Sequence, residues 1–262
     1  NHWKMEKIRP GAGVEEGFHR LPSEYQGTYF NWNQASVPGD VYTDLERAGS
    51  LEEFVAATQT AHGIIAQFAL EHFRRRKPRV SAVALCHFLT YLPDIKWGII
   101  DYYGRKKRAF DYVTRAYQPV LVSLEYAKRR WRSGEELEAG IWIVNDHHHS
   151  HDGMTLEWRV RAADGTETGA GSMVVDVAPD SSGKVHDLRC DVQGEEGAFF
   201  TVEMVLTDPD GTTVSENVHT LSVGDQESAK QHCLEIHGQL TDEKENLGKG
   251  YYRYHSELWD LD

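Results

Sequence analysis

At Pro119 the hydrophobic period of the chain changes, and that change bounds what it can fold into. Ahead of it, Ala109, Tyr112, Val113, Ala116 and Tyr117 recur at helical spacing, and Pro119 closes the pattern. Behind it, apolar and polar residues alternate with a period of two for about a hundred residues. The expected strands are Leu121 to Tyr126, Glu138 to Asn145, Thr155 to Ala162, Gly171 to Val177, Val185 to Val192, Phe199 to Thr207 and Thr213 to Leu221. Asp164-Gly and Asp208-Pro-Asp-Gly supply turns between them. Seven short strands over that length predict an all-β, immunoglobulin-like sandwich, and the missing Cys…Trp…Cys spacing separates it from antibody domains.

The segment before Pro119 has a different grammar. Ser50 is a suitable N-cap, Glu52 and Glu53 fall in the first turn, and Phe54, Val55, Ala61, Ile64, Ile65, Phe68, Ala69, His72 and Phe73 form the expected apolar face. Arg74-Arg-Arg-Lys before Pro78 is a stop signal. Val80 to Leu89 is a near-continuous apolar run, as expected for a parallel strand buried on both faces. Helix, buried strand, loop and helix in that order is βα-barrel grammar. Residues 1–50, rich in Gly, Pro, Tyr and Trp without a sustained period, are expected to be ordered loop lying over a larger body. The tail from Gln226 carries a helical hint at Glu227 to Leu234 and an aromatic end near Tyr251 and Trp259, and is expected to pack back on the body.

Charge and cysteine content exclude several functions. A formal net charge of −13 over 262 residues opposes phosphate-backbone binding, so no nucleic-acid partner is expected. No apolar run approaches the roughly 20 residues of a membrane-spanning helix, and the expectation is a soluble globular chain with no membrane partner. Cys86, Cys190 and Cys233 are widely spaced and form no CxxC pair, which signals neither a disulfide framework nor a zinc site. His147-His-His-Ser-His, flanked by Asp146 and Asp152, is dense in metal-ligating types. It falls in an expected hairpin with no distant second ligand pair, so it reads as a solvated loop, and no metal or cofactor is expected.

Trp97, Asp101-Tyr-Tyr-Gly-Arg, Lys107 and Arg115-Ala-Tyr-Gln-Pro-Val-Leu-Val-Ser-Leu together resemble the junction in glycoside hydrolase family 2, on the β-mannosidase and exo-β-glucosaminidase branch. There the last βα unit of a TIM barrel hands over to an immunoglobulin-like sandwich. The resemblance implies an α+β multidomain chain: residues 1–50 as loop packing on a barrel, 51–119 as the last βα units of a (β/α)8 TIM barrel, 120–224 as the sandwich and 225–262 as the tail. It implies an exo-acting retaining β-glycosidase of β-mannoside, β-glucosaminide or β-galactoside type, with a carbohydrate substrate and two carboxylates about 5 Å apart. Two strands cannot close an eight-stranded barrel, so a companion chain or an N-terminal portion is expected to complete it.

By the same resemblance Glu24, in Ser23-Glu-Tyr-Gln, stands at the nucleophile position, although Glu15-Glu-Gly-Phe-His-Arg-Leu-Pro ahead of it is unlike a buried strand. His87 and Trp97 stand at the sugar pocket. Where the family carries Trp-Gln-Leu/Phe-Asn-Asp/Glu, this chain has Cys86-His-Phe-Leu-Thr, losing the stacking ring, the amide and the acid. Ala35-Ser-Val-Pro-Gly-Asp-Val-Tyr-Thr-Asp-Leu resembles a stretch usually found in the family's N-terminal jelly roll. The alternative reading is a non-catalytic sandwich that binds carbohydrate or a protein, derived from a glycosidase. A flat aromatic platform built from Trp142 and Trp158 would favour it.

Overall fold

The computed structural model describes residues 51–90 and 98–228. Residues 1–50, with Glu24 and the Ala35 to Leu45 stretch, lie outside the described residues, as do Trp97 and the aromatic end of the chain. The described residues divide into two compact units. One comprises 51–65, 85–90, 98–111 and 227–228, and the other 66–84 and 112–226.

The second unit is a two-sheet sandwich. β1 (Val120–Tyr126), β3 (Glu136–Asn145) and β6 (Ser181–Asp191) form one sheet in the order β1-β3-β6. β2 (Arg130–Trp131), β8 (Thr213–Val223), β7 (Phe199–Thr207), β4 (His151–Arg161) and β5 (Glu167–Val177) form the other, in the order β2-β8-β7-β4-β5. The sandwich expected from the alternation is therefore present. Each long strand turns one set of alternate residues inward: Val120, Val122 and Leu124 from β1, Leu137, Ile141 and Ile143 from β3, Met154, Leu156 and Trp158 from β4, Val202, Met204 and Leu206 from β7. These side chains form one apolar core, the main favourable contribution to folding of a sandwich. The connections β3 to β4 and β5 to β6 pass between the sheets at the same end, where Asp180 N–H donates to the His147 carbonyl at 2.8 Å.

Strand β1 is an edge of its sheet, yet it is buried on both faces. Its free backbone groups are satisfied by side chains of β8: Val122 N–H donates to Ser215 Oγ at 3.0 Å, and Asn217 Nδ2 donates to the Val122 carbonyl at 2.8 Å. Side chains that complete an edge in this way leave no open ladder for another strand.

Helix α1 (Leu51–Arg75) departs from the expectation in which face it buries. Phe68 and Phe73 are each 40% exposed, and Ile64 and Ile65 are only half-buried. Ala61, His62 and Gly63 are buried in its first half, and Ala66, Gln67, Leu70, Glu71 and Arg75 in its second. The physical reason is a closed polar network. Glu71 accepts from Gln67 Nε2 at 3.0 Å, Asn217 Nδ2 at 2.8 Å and Ser123 Oγ at 2.6 Å, while Arg75 Nη1 donates to Ser123 Oγ at 2.6 Å and to the Leu124 carbonyl at 3.2 Å. His219 Nε2 stands 3.3 Å from Glu71 Oε2, an ionic approach without well-directed hydrogen-bond geometry. Buried charge persists only where it is paired and hydrogen-bonded, and here it is.

Beyond α1, the expected buried strand at Val80 to Leu89 is corrected by the structure. The run forms no strand among the described residues, making a single parallel bridge from Leu89 to Ile100. Phe88 is 60% and Leu89 50% exposed. An apolar run is buried on both faces only where elements flank it on both sides. α2 (Ala109–Ala116) buries Ala109, Val113 and Ala116 of the expected face, while Tyr112 is half-buried and Tyr117 exposed, and Gln59 Oε1 accepts from Arg108 N–H at 3.0 Å at its start.

Candidate functional site

Two of the motifs that carry the family resemblance, Asp101-Tyr-Tyr-Gly-Arg and Lys107, lie in the first unit, on the turn between the apolar run and α2. Asp101 organises it: its Oδ1 accepts from Tyr103 N–H at 2.9 Å and Arg105 N–H at 2.8 Å, and its own N–H donates to the Arg105 carbonyl at 2.9 Å. Gly104 takes the left-handed conformation (φ 80°) that closes this turn, which a β-carbon disfavours. The Asp101-Tyr-Tyr-Gly-Arg motif is thus a folding signature, with Tyr102 and Tyr103 displayed at 51% and 68% exposure.

Beneath that turn the run is held by backbone pairing. Thr90 N–H donates to the Ile100 carbonyl at 2.9 Å and Ile100 N–H to the Phe88 carbonyl at 3.0 Å. Gly98 is required by proximity, since a β-carbon there would stand 2.4 Å from Thr90 Oγ1. Lys107, the other residue of the resemblance, is buried, with Nζ 3.3 Å from Thr90 Oγ1. Burial lowers its ammonium to about 8 against an opposing pull from Asp101. His62 of α1 is buried as well, and burial together with the Lys107 charge lowers it to about 4, so its ring is neutral at physiological pH. A neutral imidazole and an amine that gives up its proton easily form the polar interior of this unit. The exposed side chains of the unit, Phe88, Leu89, Tyr102 and Tyr103, make up its rim.

His87 lies on that rim, exposed between Cys86 and Phe88, where it can donate to or accept from a ligand in solvent. Glu24 and Trp97, implied with it at the pocket, lie outside the described residues. The two tryptophans that would make a binding platform are separated. Trp158 is in the sandwich core at 8% exposure, its ring 4.3 Å from that of His186. Trp142 lies half-buried on the outer face of the three-stranded sheet, with its indole N–H bonded to Glu125 Oε2 at 2.9 Å.

The sequence offered no expectation for the Gln67, Glu71, Arg75 and Asn217 network, whose signal was polar residues at i, i+4 spacing in α1. The histidine run, read from sequence as a solvated loop, has His147, His149 and His151 converging so that one ring nitrogen from each lies within 4.8 Å of the others.

Sheet order and core define an immunoglobulin-like two-sheet sandwich. Residues 138–223 match the family described as Mannosidase Ig/CBM-like domain, in line with the expected resemblance to the C-terminal portion of glycoside hydrolase family 2 enzymes. The exo-chitosanase of Amycolatopsis orientalis is similar in structure over 86% of this chain and 25% of that chain, with TM-score 0.60 and 16% identity. An exo-β-D-glucosaminidase in complex with inhibitors aligns over 70% of this chain and 21% of that chain, with TM-score 0.58 and 17% identity. The β-D-mannosidase of Dictyoglomus thermophilum aligns over 65% and 20%, with TM-score 0.51 and 20% identity. This chain spans a quarter or less of the length of these enzymes. No curated protein sequence matches it.

Proposed function

We infer that this chain is the C-terminal portion of an exo-acting retaining β-glycosidase, hydrolysing O-glycosidic bonds of β-glucosaminide, β-mannoside or β-galactoside type. In this reading residues 51–119 are the closing βα units of a TIM barrel, 120–224 the sandwich that follows it, and 1–50 and 225–262 cover the body. Glu24 is the nucleophile and His87 and Trp97 line the sugar pocket. A preceding portion or a companion chain supplies the other carboxylate and the remaining strands. The carrying observation is the order of elements: an apolar run with Phe88 and Leu89 exposed, a motif turn, α2, and then the mannosidase-type sandwich. An exposed apolar strip of this kind marks a surface that another element covers.

The test begins with the protein isolated from its source, sized by intact mass and gel filtration and assayed with nitrophenyl β-glucosaminide, β-mannoside and β-galactoside. The expected species is larger than 29.8 kDa, or carries a second polypeptide in fixed ratio, and releases nitrophenol from one of the three substrates. Glu24→Gln should then lower kcat by about a thousandfold or more while leaving the sandwich folded. A lone folded species of the chain's own mass that cleaves none of them would sink the glycosidase reading. It would leave the alternative of a non-catalytic module derived from a glycosidase.

A further inference from the structure

We propose that His147, His149 and His151 form a binding site for a late first-row divalent cation of the zinc type, at the end of the sandwich where β3 crosses to β4. The three residues follow an i, i+2, i+4 pattern that runs out of β3 through the loop and into the first residue of β4. A ring nitrogen from each lies within 4.8 Å of the others, and His147 Nδ1 is 3.0 Å from His151 Nε2. Three imidazole nitrogens at about 2.0–2.1 Å from one tetrahedral cation stand about 3.4 Å apart. The spacing present brackets that value, and small rotations of the exposed His149 ring would reach it.

Three cationic rings would repel at these separations, whereas neutral imidazoles offer lone pairs. The short contact between His147 and His151 already needs one ring to present a lone pair where the other presents a proton. A cation takes the place of that proton and recruits the third ring. His147 and His149 stack at 5.0 Å between centroids and 17° between planes, with His151 at 4.8 Å from His149.

The loop backbone is fixed independently of any ligand. Asn145, fully buried, accepts from His147 N–H through Oδ1 at 2.9 Å, and its Nδ2 donates to the carbonyls of His149 at 3.0 Å and Ala178 at 2.9 Å. His151 pairs with Val177 in the β4 to β5 ladder. Ligands borne on a backbone locked by a buried amide and by sheet pairing lose little further entropy on binding, which is what separates a built site from a flexible histidine run. Imidazole donors without thiolate suit zinc, copper or nickel rather than magnesium or calcium. Three protein ligands leave a coordination position open to water or to a carboxylate of a partner.

The experiment is isothermal titration of zinc chloride into the full 262-residue chain and into His149→Ala, His151→Ala and His148→Ala. His148 is exposed in the same loop and is not part of the cluster. The expected result is one zinc per chain with Kd in the micromolar range or tighter, weakened about tenfold or more by His149→Ala and by His151→Ala and less than about twofold by His148→Ala. Because His149 is exposed, its variant retains the fold, and circular dichroism checks this for all three. Absence of binding at millimolar zinc overturns the proposal. So does an equal loss in the His148 variant, which would mean that an unstructured histidine run captures an adventitious ion only.

Discussion

Glu71 and Ser123 meet at 2.6 Å, the hydroxyl donating to Oε2 of a carboxylate with no exposed surface. Arg75 Nη1 stands 3.8 Å from the same oxygen and donates to the same hydroxyl. Removing the carboxylate leaves a buried guanidinium and three donors without their acceptor. Glu71→Ala is therefore expected to destabilise the sandwich unit by about 3–5 kcal/mol, read as a shift of the midpoint in denaturant unfolding at constant slope. A loss below about 1 kcal/mol would show that the network is not closed as described.

The same carboxylate gives the unit its acid limb. Burial pushes Glu71 upward, but attraction to the nearby His219 and the hydrogen bonds from Ser123 and Asn217 outweigh it and lower the group to about 2, from an ordinary 4.5. A depressed carboxylate contributes stability above its unfolded value, and that contribution is lost as pH falls from about 4.5 to about 2. His62, in the other unit, is lowered from 6.5 to about 4, chiefly by burial. The unfolded chain then binds the extra proton first, so stability is lost as pH falls from 6.5 to about 4. Thermal unfolding followed against pH should show the limb between pH 6.5 and 4 disappear in His62→Gln, while the limb below 4.5 persists and disappears only in Glu71→Gln.

The strands were legible because alternation reports a face that must be buried, and β7 falls on the expected residues Phe199 to Thr207. β2 escaped because two residues, Arg130 and Trp131, are too few to show a period. The burial of α1 was misread because hydrophobicity alone favoured Ile64, Ile65, Phe68 and Phe73. Gln67, Glu71 and Arg75, spaced four apart, answer the alternating Ser215, Asn217 and His219 of β8, and that correspondence is visible only once helix and strand are side by side. The histidine run was visible, but its convergence was not, for a similar reason. Alternation places His147, His149 and His151 on one side only if the chain stays extended, and here Asn145 folds the loop so that all three rings converge.

Gly171 lies under the indole of Trp158, so close that a β-carbon would come within 2.2 Å of Cζ2. The ring cannot retreat freely, because His186 packs against it at 4.3 Å and the core lies beyond. Gly171→Ala should destabilise by about 1–3 kcal/mol through overpacking. Combining it with Trp158→Leu should recover part of that loss relative to Trp158→Leu alone, a coupling that a double-mutant cycle measures directly. Strict additivity of the two changes would mean that the glycine is not there to admit the ring.

Lys107 gives the same sign of pH dependence as Glu71, stability rising with pH, but at the alkaline end and because a charge is buried at a cost rather than held by partners. Its ammonium is lowered from 10.5 to about 8 by burial, against the pull of Asp101, so the folded state gives up the proton before the unfolded chain does. Between about pH 8 and 10.5 the unfolded chain binds more protons, and the stability of that unit should rise with pH through this window. Below pH 8 the full cost of burying the charge is present. Lys107→Met keeps the length and apolar stem of the side chain while removing the charge; it forfeits one hydrogen bond to Thr90, worth about 1 kcal/mol. The variant should therefore be as stable as the parent or more so at pH 7, and its unfolding midpoint should no longer rise between pH 8 and 10.5. A variant much less stable at pH 7 would show instead that the ammonium is held by more favourable partners than burial costs it.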